Sequence, residues 1–417
     1  MKPSILPVRL FAVLVGGALL VGCATSTAAG NQASTASSGG ATAPQTTTLA
    51  PAPTPTTPKP APVTLTTSAA EGAVVAVDHR FTVTAAGGVV QSVSLTSNDK
   101  RAEKQTVAGR LSDDKAVWTA GALLEPGDTY TALINAANAA GEPVTETRTF
   151  KTQNLSLKQQ VYVNLIPGSG GTVGVAMPVV VTFDIPVTDK ASFEKNMTVT
   201  STPAQAGSWR WISSTQARWR PEAYWQAGTK VDINIDVNGV SAGGGLYGQE
   251  SRTASFTVGR AATISVDLAA HVLTQTVNGA VTRTIPVTGG KSGFETRAGT
   301  KVIMERLDSV DMDAATTGTG QDSPEYYNLK DVKYAMRVTN SGEFFHAAPW
   351  SVSSQGKSNV SHGCVGMSTA NASWLMSNTM VGDPAVYTNS GRFMTVENGW
   401  GDWNLSFAEY AKGSAIK

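Results

Sequence analysis

Charge is scarce in this sequence and nearly cancels. Lysine and arginine number 32 against 31 aspartate and glutamate, a net charge of +1, and only 15% of residues are charged. That balance excludes the broad basic face with which proteins meet nucleic acid, so no nucleic-acid partner is expected. Cysteine is rarer still: Cys23 and Cys364 are the two in 417 residues, which excludes a disulfide-stapled scaffold. Long runs of Lys, Glu and Leu are missing as well. What remains is rich in Gly, Thr, Val, Ala and Ser, a composition that suits strands more than helices.

One apolar run stands at the N-terminus. Lys2 and Arg9 precede Leu10 to Val21, a stretch too short to span a membrane as a permanent helix and typical of an export signal. It ends in Leu20-Val21-Gly22-Cys23, which resembles the bacterial lipobox, where the cysteine is lipidated. Residues 1–23 are therefore expected to be a signal peptide with a lipobox. The protein would sit outside the cytoplasm, anchored through Cys23 to the outer face of the cytoplasmic membrane and reaching into the cell wall. An ordinary signal peptide with a chance cysteine is the plainer alternative. Residues 24–62 are Ala, Thr, Ser, Pro and Gln with almost no aliphatic bulk, so a disordered, extended stalk is expected. If Cys23 carries lipid, Cys364 is a lone thiol in an exported protein, and catalysis is the usual reason for one.

Beyond the stalk the pattern turns period-two. Over 63–152, Phe81-Thr-Val-Thr, Val89 to Leu95 and Tyr130-Thr-Ala-Leu-Ile alternate between turn signals such as Glu125-Pro-Gly-Asp128, which predicts an antiparallel sandwich. Residues 153–259 repeat the scheme, with Gly228-Thr-Lys-Val-Asp-Ile-Asn-Ile echoing Gly127-Asp-Thr-Tyr-Thr-Ala-Leu-Ile. Trp209, Trp211, Trp219 and Trp225 fall in this second unit, either as sandwich core or as a carbohydrate-stacking face. A third unit, 260–388, opens with strands at 263–267 and 272–277, turns at Asn278-Gly279 and returns through 281–287. One amphipathic helix is predicted around 369–379. Residues 389–417 form a C-terminal extension expected to pack on the preceding domains.

Two of the four histidines flank Cys364: His346 in Phe344-Phe-His-Ala-Ala-Pro-Trp350 and His362 in Ser361-His-Gly-Cys364. A free thiol is mostly protonated at neutral pH, and a neighbouring imidazole can take its proton to leave a nucleophile for acyl transfer. Spacing alone leaves open which histidine does this. His362 lies two residues from the cysteine, on the same side of a strand, while His346 can face the thiol from an adjacent strand. Gly363 lets a substrate approach the backbone closely. One thiol and two histidines lack a fourth ligand for a metal, so no metal and no cofactor is expected. A buried structural cysteine is the bland alternative.

The stretch His346-Ala-Ala-Pro-Trp-Ser-Val, then Ser358-Asn-Val-Ser-His-Gly-Cys-Val-Gly-Met-Ser368, resembles the YkuD-type L,D-transpeptidase signature, closest to actinobacterial enzymes with Ig-like domains ahead of the catalytic one. The likeness extends to Gly289-Gly-Lys-Ser-Gly-Phe-Glu-Thr296 and to the tail Gly399-Trp-Gly-Asp-Trp-Asn-Leu405. The fold it implies is mainly β: two tandem Ig-like β-sandwich domains, then a β-rich catalytic domain with a few helices. It also implies that Cys364 is the nucleophile and His346 the base, with the Ala347 carbonyl orienting the imidazole. The amides of His362, Gly363 and Cys364 would line an oxyanion hole, and Ser361 and Trp350 would face substrate. Residues from about Leu307 to Asp331 match a lid, in which Met312 and Tyr327 take substrate-facing positions. Three departures bear on substrate fit: Gly366, Thr317 and the pair Arg297-Ala298.

By the same resemblance the partners are peptidoglycan stem peptides, with carbapenem β-lactams as inhibitors. Cys364 would attack the L-centre carbonyl of diaminopimelate in a donor tetrapeptide, D-Ala would leave, and an amine of another stem would resolve the thioester as a 3→3 cross-link. Rival readings of the same site are an L,D-carboxypeptidase and an enzyme that attaches protein to peptidoglycan. A non-catalytic wall-binding lipoprotein is the rival from a different class.

Overall fold

The structure is a computed structural model that describes residues 61–99 and 106–416. The export signal, Cys23 and the stalk up to residue 60 lie outside the described residues. Among the described residues no helix is long and apolar enough to cross a membrane.

The first sandwich follows from the alternation in its strands. In Thr129–Asn138 the side chains of Tyr130, Ala132, Ile134 and Ala136 are buried, while Thr129, Thr131, Leu133 and Asn135 between them are more exposed. This strand lies centrally in a five-stranded sheet ordered Val74–Val75, Pro143–Thr152, Thr129–Asn138, Gly88–Ser97, Thr106–Val107. A four-stranded sheet (Thr64–Thr67, Thr82–Ala86, Val117–Ala120, Gly109–Leu111) covers it. Phe81 stacks on Phe150 at 4.8 Å between ring centroids and meets Trp118 edge-on, so one core joins both sheets.

A second sandwich pairs a six-stranded sheet running from Gly207–Trp211 to Ser241–Gly243 with a four-stranded one running from Thr172–Val173 to Met197–Thr202. Its tryptophans are core. Trp209, Trp211, Trp219 and Trp225 are 2–9% exposed, Trp219 stacks on Trp225, and Trp211 stacks on Phe183. Three of the indole N–H groups are satisfied from within: Trp209 donates to the Met197 carbonyl, Trp225 to that of Met177, and Trp211 to Glu194. The reading of these residues as a carbohydrate-stacking face is thereby overturned.

The third unit carries two sheets. Asn278 and Gly279 both take positive φ, and Val277 pairs with Ala280 across that turn, the tight hairpin its dipeptide predicts. The hairpin edges a five-stranded sheet ordered Ala280–Pro286, Val272–Val277, Ala262–Asp267, Pro384–Thr388, Gly299–Val302. A four-stranded sheet follows the order Glu305–Asp313, Asn328–Arg337, Phe344–Ala347, Val365–Met367. The helix Thr369–Ser377 starts where Ser368 accepts from the Asn371 amide and buries Ala372, Leu375 and Met376. Two shorter helices, Lys190–Glu194 and Phe407–Ala411, have too few residues to show a helical period in sequence.

The C-terminal extension lies against the second sandwich. Buried Arg218 donates to the carbonyls of Val396 and Gly399 and pairs with Asp402, while Arg220 sits 4.5 Å from the ring centroids of both Trp403 and Tyr410.

Candidate active site

The site forms where two parallel strands meet. Phe344–Ala347 pairs with Val365–Met367 so that His346 lies opposite Gly366, and Cys364 immediately precedes the second strand. A cavity of about 240 Å³ is lined by Met312, Tyr327, Leu329, His346, Trp350, Val360, Ser361, His362 and Cys364. Cys364, both flanking histidines, Ser361, Trp350 and the two lid residues are thus together in space.

His346 is buried, and its Nδ1–H donates to the Ala347 carbonyl at 2.9 Å. That bond leaves Nε2 as the free acceptor. Burial lowers the imidazole pKa below its ordinary value, against the opposing pull of the Ala347 carbonyl, so the ring stays neutral with its Nε2 lone pair available. Trp350 stacks on it at 5.9 Å with more than half its surface exposed, forming the outer wall.

The Cys364 thiol retains some surface in the cavity, yet protein surrounds it closely. Burial pushes its pKa up to about 12; a hydrogen bond from the Phe344 backbone opposes the rise, the Glu343 carboxylate adds to it, and Lys301 and Arg337 oppose it more weakly. Its Sγ–H points at the Gly342 carbonyl, 3.5 Å away. The resting pair is therefore neutral thiol and neutral imidazole, and the thiolate forms only as the proton moves.

Gly363 takes φ +124°, and Thr296 fixes the turn by donating to its carbonyl. Its amide, expected to line the oxyanion hole, instead donates to Ser361 Oγ, and that hydroxyl donates to the Cys364 carbonyl at 2.6 Å. Ser361 is a local brace here, as a hydroxyl two residues before an amide commonly is.

His362 has a different setting from His346. Its Nε2 lies 2.8 Å from Glu325, which also pairs with Lys291. Phe294 and Tyr327 flank the ring at 4.6 and 4.9 Å. Hydrogen bonds from Lys291 and His362 hold the Glu325 carboxyl below its usual range. The strands Glu305–Asp313 and Asn328–Arg337 form the hairpin that carries Met312 and Tyr327 over the site. Burial raises the Tyr327 hydroxyl to about 12, so it remains a neutral donor.

The three departures have defined places. Thr317 lines a neighbouring cavity of about 530 Å³ with Met312 and Tyr327. At Gly366 a Cβ would come within 2.8 Å of the Ala348 Cβ, which glycine avoids. Arg297 forms an ion pair with Glu343. Glu325, Lys291, Glu343 and Lys301 were not singled out from sequence as site residues, since pairs of opposite charge far apart in the chain leave no periodic signal. Among the described residues no group of three or more His, Cys, Asp or Glu gathers as a metal ligand set.

A β scaffold that presents a lone cysteine and a tautomer-locked histidine in one cavity defines a cysteine acyl-transfer site. Residues 261–386 match the L,D-transpeptidase catalytic domain, and residues 72–241 match a bacterial Ig domain. L,D-transpeptidase 2 of Mycobacterium tuberculosis is 36% identical over 84% of this chain and 85% of its own length. L,D-transpeptidase 5 of the same species is 30% identical over 79% of this chain and 72% of its own. A solved L,D-transpeptidase in complex with imipenem is 37% identical, covers 54% of this chain and 97% of its own, and has a TM-score of 0.48. The chain belongs to the L,D-transpeptidase family.

Proposed function

We propose that this protein is a peptidoglycan L,D-transpeptidase working through a Cys364 thioester. The observation that carries this reading is the meeting of Cys364 and Ala347-bound His346 in one cavity. His346 Nε2 takes the thiol proton as Sγ attacks the L-centre carbonyl of diaminopimelate in a donor tetrapeptide. The peptide C–N bond breaks, and the proton passes to the amine of the departing D-Ala. An amine of a second stem then attacks the thioester, His346 accepts its proton, and the C–S bond breaks to restore the thiol and leave a 3→3 cross-link. With the Gly363 amide engaged by Ser361, the His362 and Cys364 amides are the donors assigned to the oxyanion. Carbapenems would acylate the same thiol.

The N-terminal pattern Lys2, Arg9, Leu10 to Val21 and Gly22-Cys23 supports export and lipid anchoring at Cys23, on the outer face of the cytoplasmic membrane. The stalk and two sandwiches would then carry the catalytic part into the wall. Incubating the protein with muropeptide tetrapeptides and reading products by mass spectrometry tests the reaction. Cross-linked dimers are expected. Free tripeptide alone would make the enzyme an L,D-carboxypeptidase, and no turnover would leave a non-catalytic wall binder. Cys364→Ala is expected to remove both turnover and carbapenem acylation.

A further inference from the structure

Two buried charged side chains, Lys301 and Glu343, and a half-buried third, Arg297, cluster beside the nucleophile turn, and the proposed reaction uses none of them. Lys301, fully buried, forms an ion pair with Glu343, itself 4% exposed. The other Glu343 oxygen accepts from the Arg297 guanidinium at 2.9 Å and from the Arg297 amide at 3.1 Å. Two cations and one anion leave this cluster with a net charge of +1. Replacing a buried ion pair by apolar residues of similar volume is often neutral or stabilising, so stability alone does not account for it.

The cluster touches both halves of the site. Glu343 lies one residue before the strand that carries His346, and the preceding residue, Gly342, supplies the carbonyl that receives the Cys364 Sγ–H. Its side chain also packs under the nucleophile turn, with Cγ and Oε1 both 3.6 Å from where a Gly363 Cβ would stand. On its far side Lys301 Nζ lies 3.7 Å from the centroid of the Tyr387 ring.

We propose that the Arg297–Glu343–Lys301 cluster is the electrostatic floor of the site, and that Lys301 is a positioning residue whose charge favours the Cys364 thiolate while its partner Glu343 holds the Gly363 turn. This rests on the reading of Cys364 as nucleophile. The charged and titratable groups around the thiol divide by side. Of these charges Glu343 acts most strongly and opposes ionisation, while Lys301 and Arg337 favour it. His346, His362 and Tyr327 share the cavity above. Around Lys301 itself stand Glu343, Arg297, Tyr387 and the thiol. Burial lowers the Lys301 ammonium to about 8 against the pull of Glu343, so its charge is present at pH 7 and lost in mild alkali.

The test is the rate at which iodoacetamide alkylates Cys364 in the full chain between pH 6 and 10, with the Cys364 peptide followed by mass spectrometry. Lys301→Met is expected to react about tenfold more slowly at pH 7, one pKa unit of thiol acidity being a factor of ten. The gap should close above about pH 9, where wild type also loses the charge. Lys301→Arg should stay within about threefold of wild type at pH 7 and keep its advantage over Lys301→Met in alkali. If Lys301→Met does not fold, Lys301→Gln keeps an amide for Glu343 and is read the same way. A rate deficit constant across pH would mean a merely structural role, and equal rates at pH 7 would mean no role; either overturns the proposal. Alkylation reads the thiolate whether or not muropeptides turn over, so its failure and that of the transpeptidase reading are distinguishable.

Discussion

His346 and Ala347, adjacent in the chain, are held by a 2.9 Å hydrogen bond from the imidazole Nδ1 to the carbonyl oxygen of the next residue. The bond sets the tautomer and aims Nε2 away from the strand, the task an aspartate performs in a charged triad. A carbonyl does it without a buried negative charge. The imidazole is therefore not stabilised as a cation at rest, and burial keeps its pKa below the ordinary histidine value.

A pH profile follows from that neutrality. With His346 as the proposed base, activity should need it unprotonated and fall on the acid side through a midpoint below 6.5. The thiol, raised by burial to about 12, should add no inflection of its own near 8.5, where an ordinary cysteine titrates, so an alkaline inflection near 8 would belong to Lys301 and be missing in Lys301→Met. Measuring kcat/KM between pH 4.5 and 10 checks both, and an acid limb centred above 6.5 would contradict the burial argument.

The two histidines should separate sharply on substitution. His346→Ala removes the group proposed as base, and acylation by a carbapenem should slow by about a thousandfold. His362→Ala removes a ring braced by Glu325, Phe294 and Tyr327. It should slow acylation by roughly tenfold at most, far less than loss of a general base. Stopped-flow acylation rates give the order directly, and a reversed order would reassign the base.

Gly363 isolates conformation from crowding. No atom comes closer than 3.6 Å to its missing Cβ, an ordinary contact distance, yet φ +124° opposes an added methyl. Gly363→Ala should cost about 1–3 kcal/mol of stability through backbone strain. Any relaxation would move Cys364, so acylation should slow more than the loss of folded protein explains. Thermal unfolding alongside the acylation rate distinguishes the two.

How much of this was legible in the sequence depends on the range of the signal. The Asn278-Gly279 hairpin, the helix after Ser368 and the alternation through Tyr130 to Ala136 are local, and the residues themselves announce them. The grouping of Cys364 with His346 came from the family likeness, because spacing left His362 an equal candidate for the base. Two things lay beyond reach. Whether Trp209 to Trp225 face water or core depends on which sheet covers them, and the period is the same in either case. The Arg297–Glu343–Lys301 cluster joins residues up to 46 positions apart, so Arg297 read as an interruption of a motif and not as half of an ion pair.

The packing of the second sandwich on the catalytic part offers a last test. At Gly174 an added Cβ would lie 2.1 Å from the Asp383 amide nitrogen and 2.2 Å from the Gly382 carbonyl carbon. Both are backbone atoms that cannot swing aside, and the Gly174 amide donates to the Val381 carbonyl across the same contact. Relief therefore requires one unit to shift against the other. Gly174→Ala should destabilise the protein by about 1–3 kcal/mol, the usual cost of overpacking, and lower its Tm. Gly171, three residues earlier, has nothing within 4 Å of its Cβ position and no positive φ, so Gly171→Ala serves as the matched control and should leave Tm unchanged. Equal Tm values for the two variants in calorimetry would show that the contact at Gly174 is not close-packed.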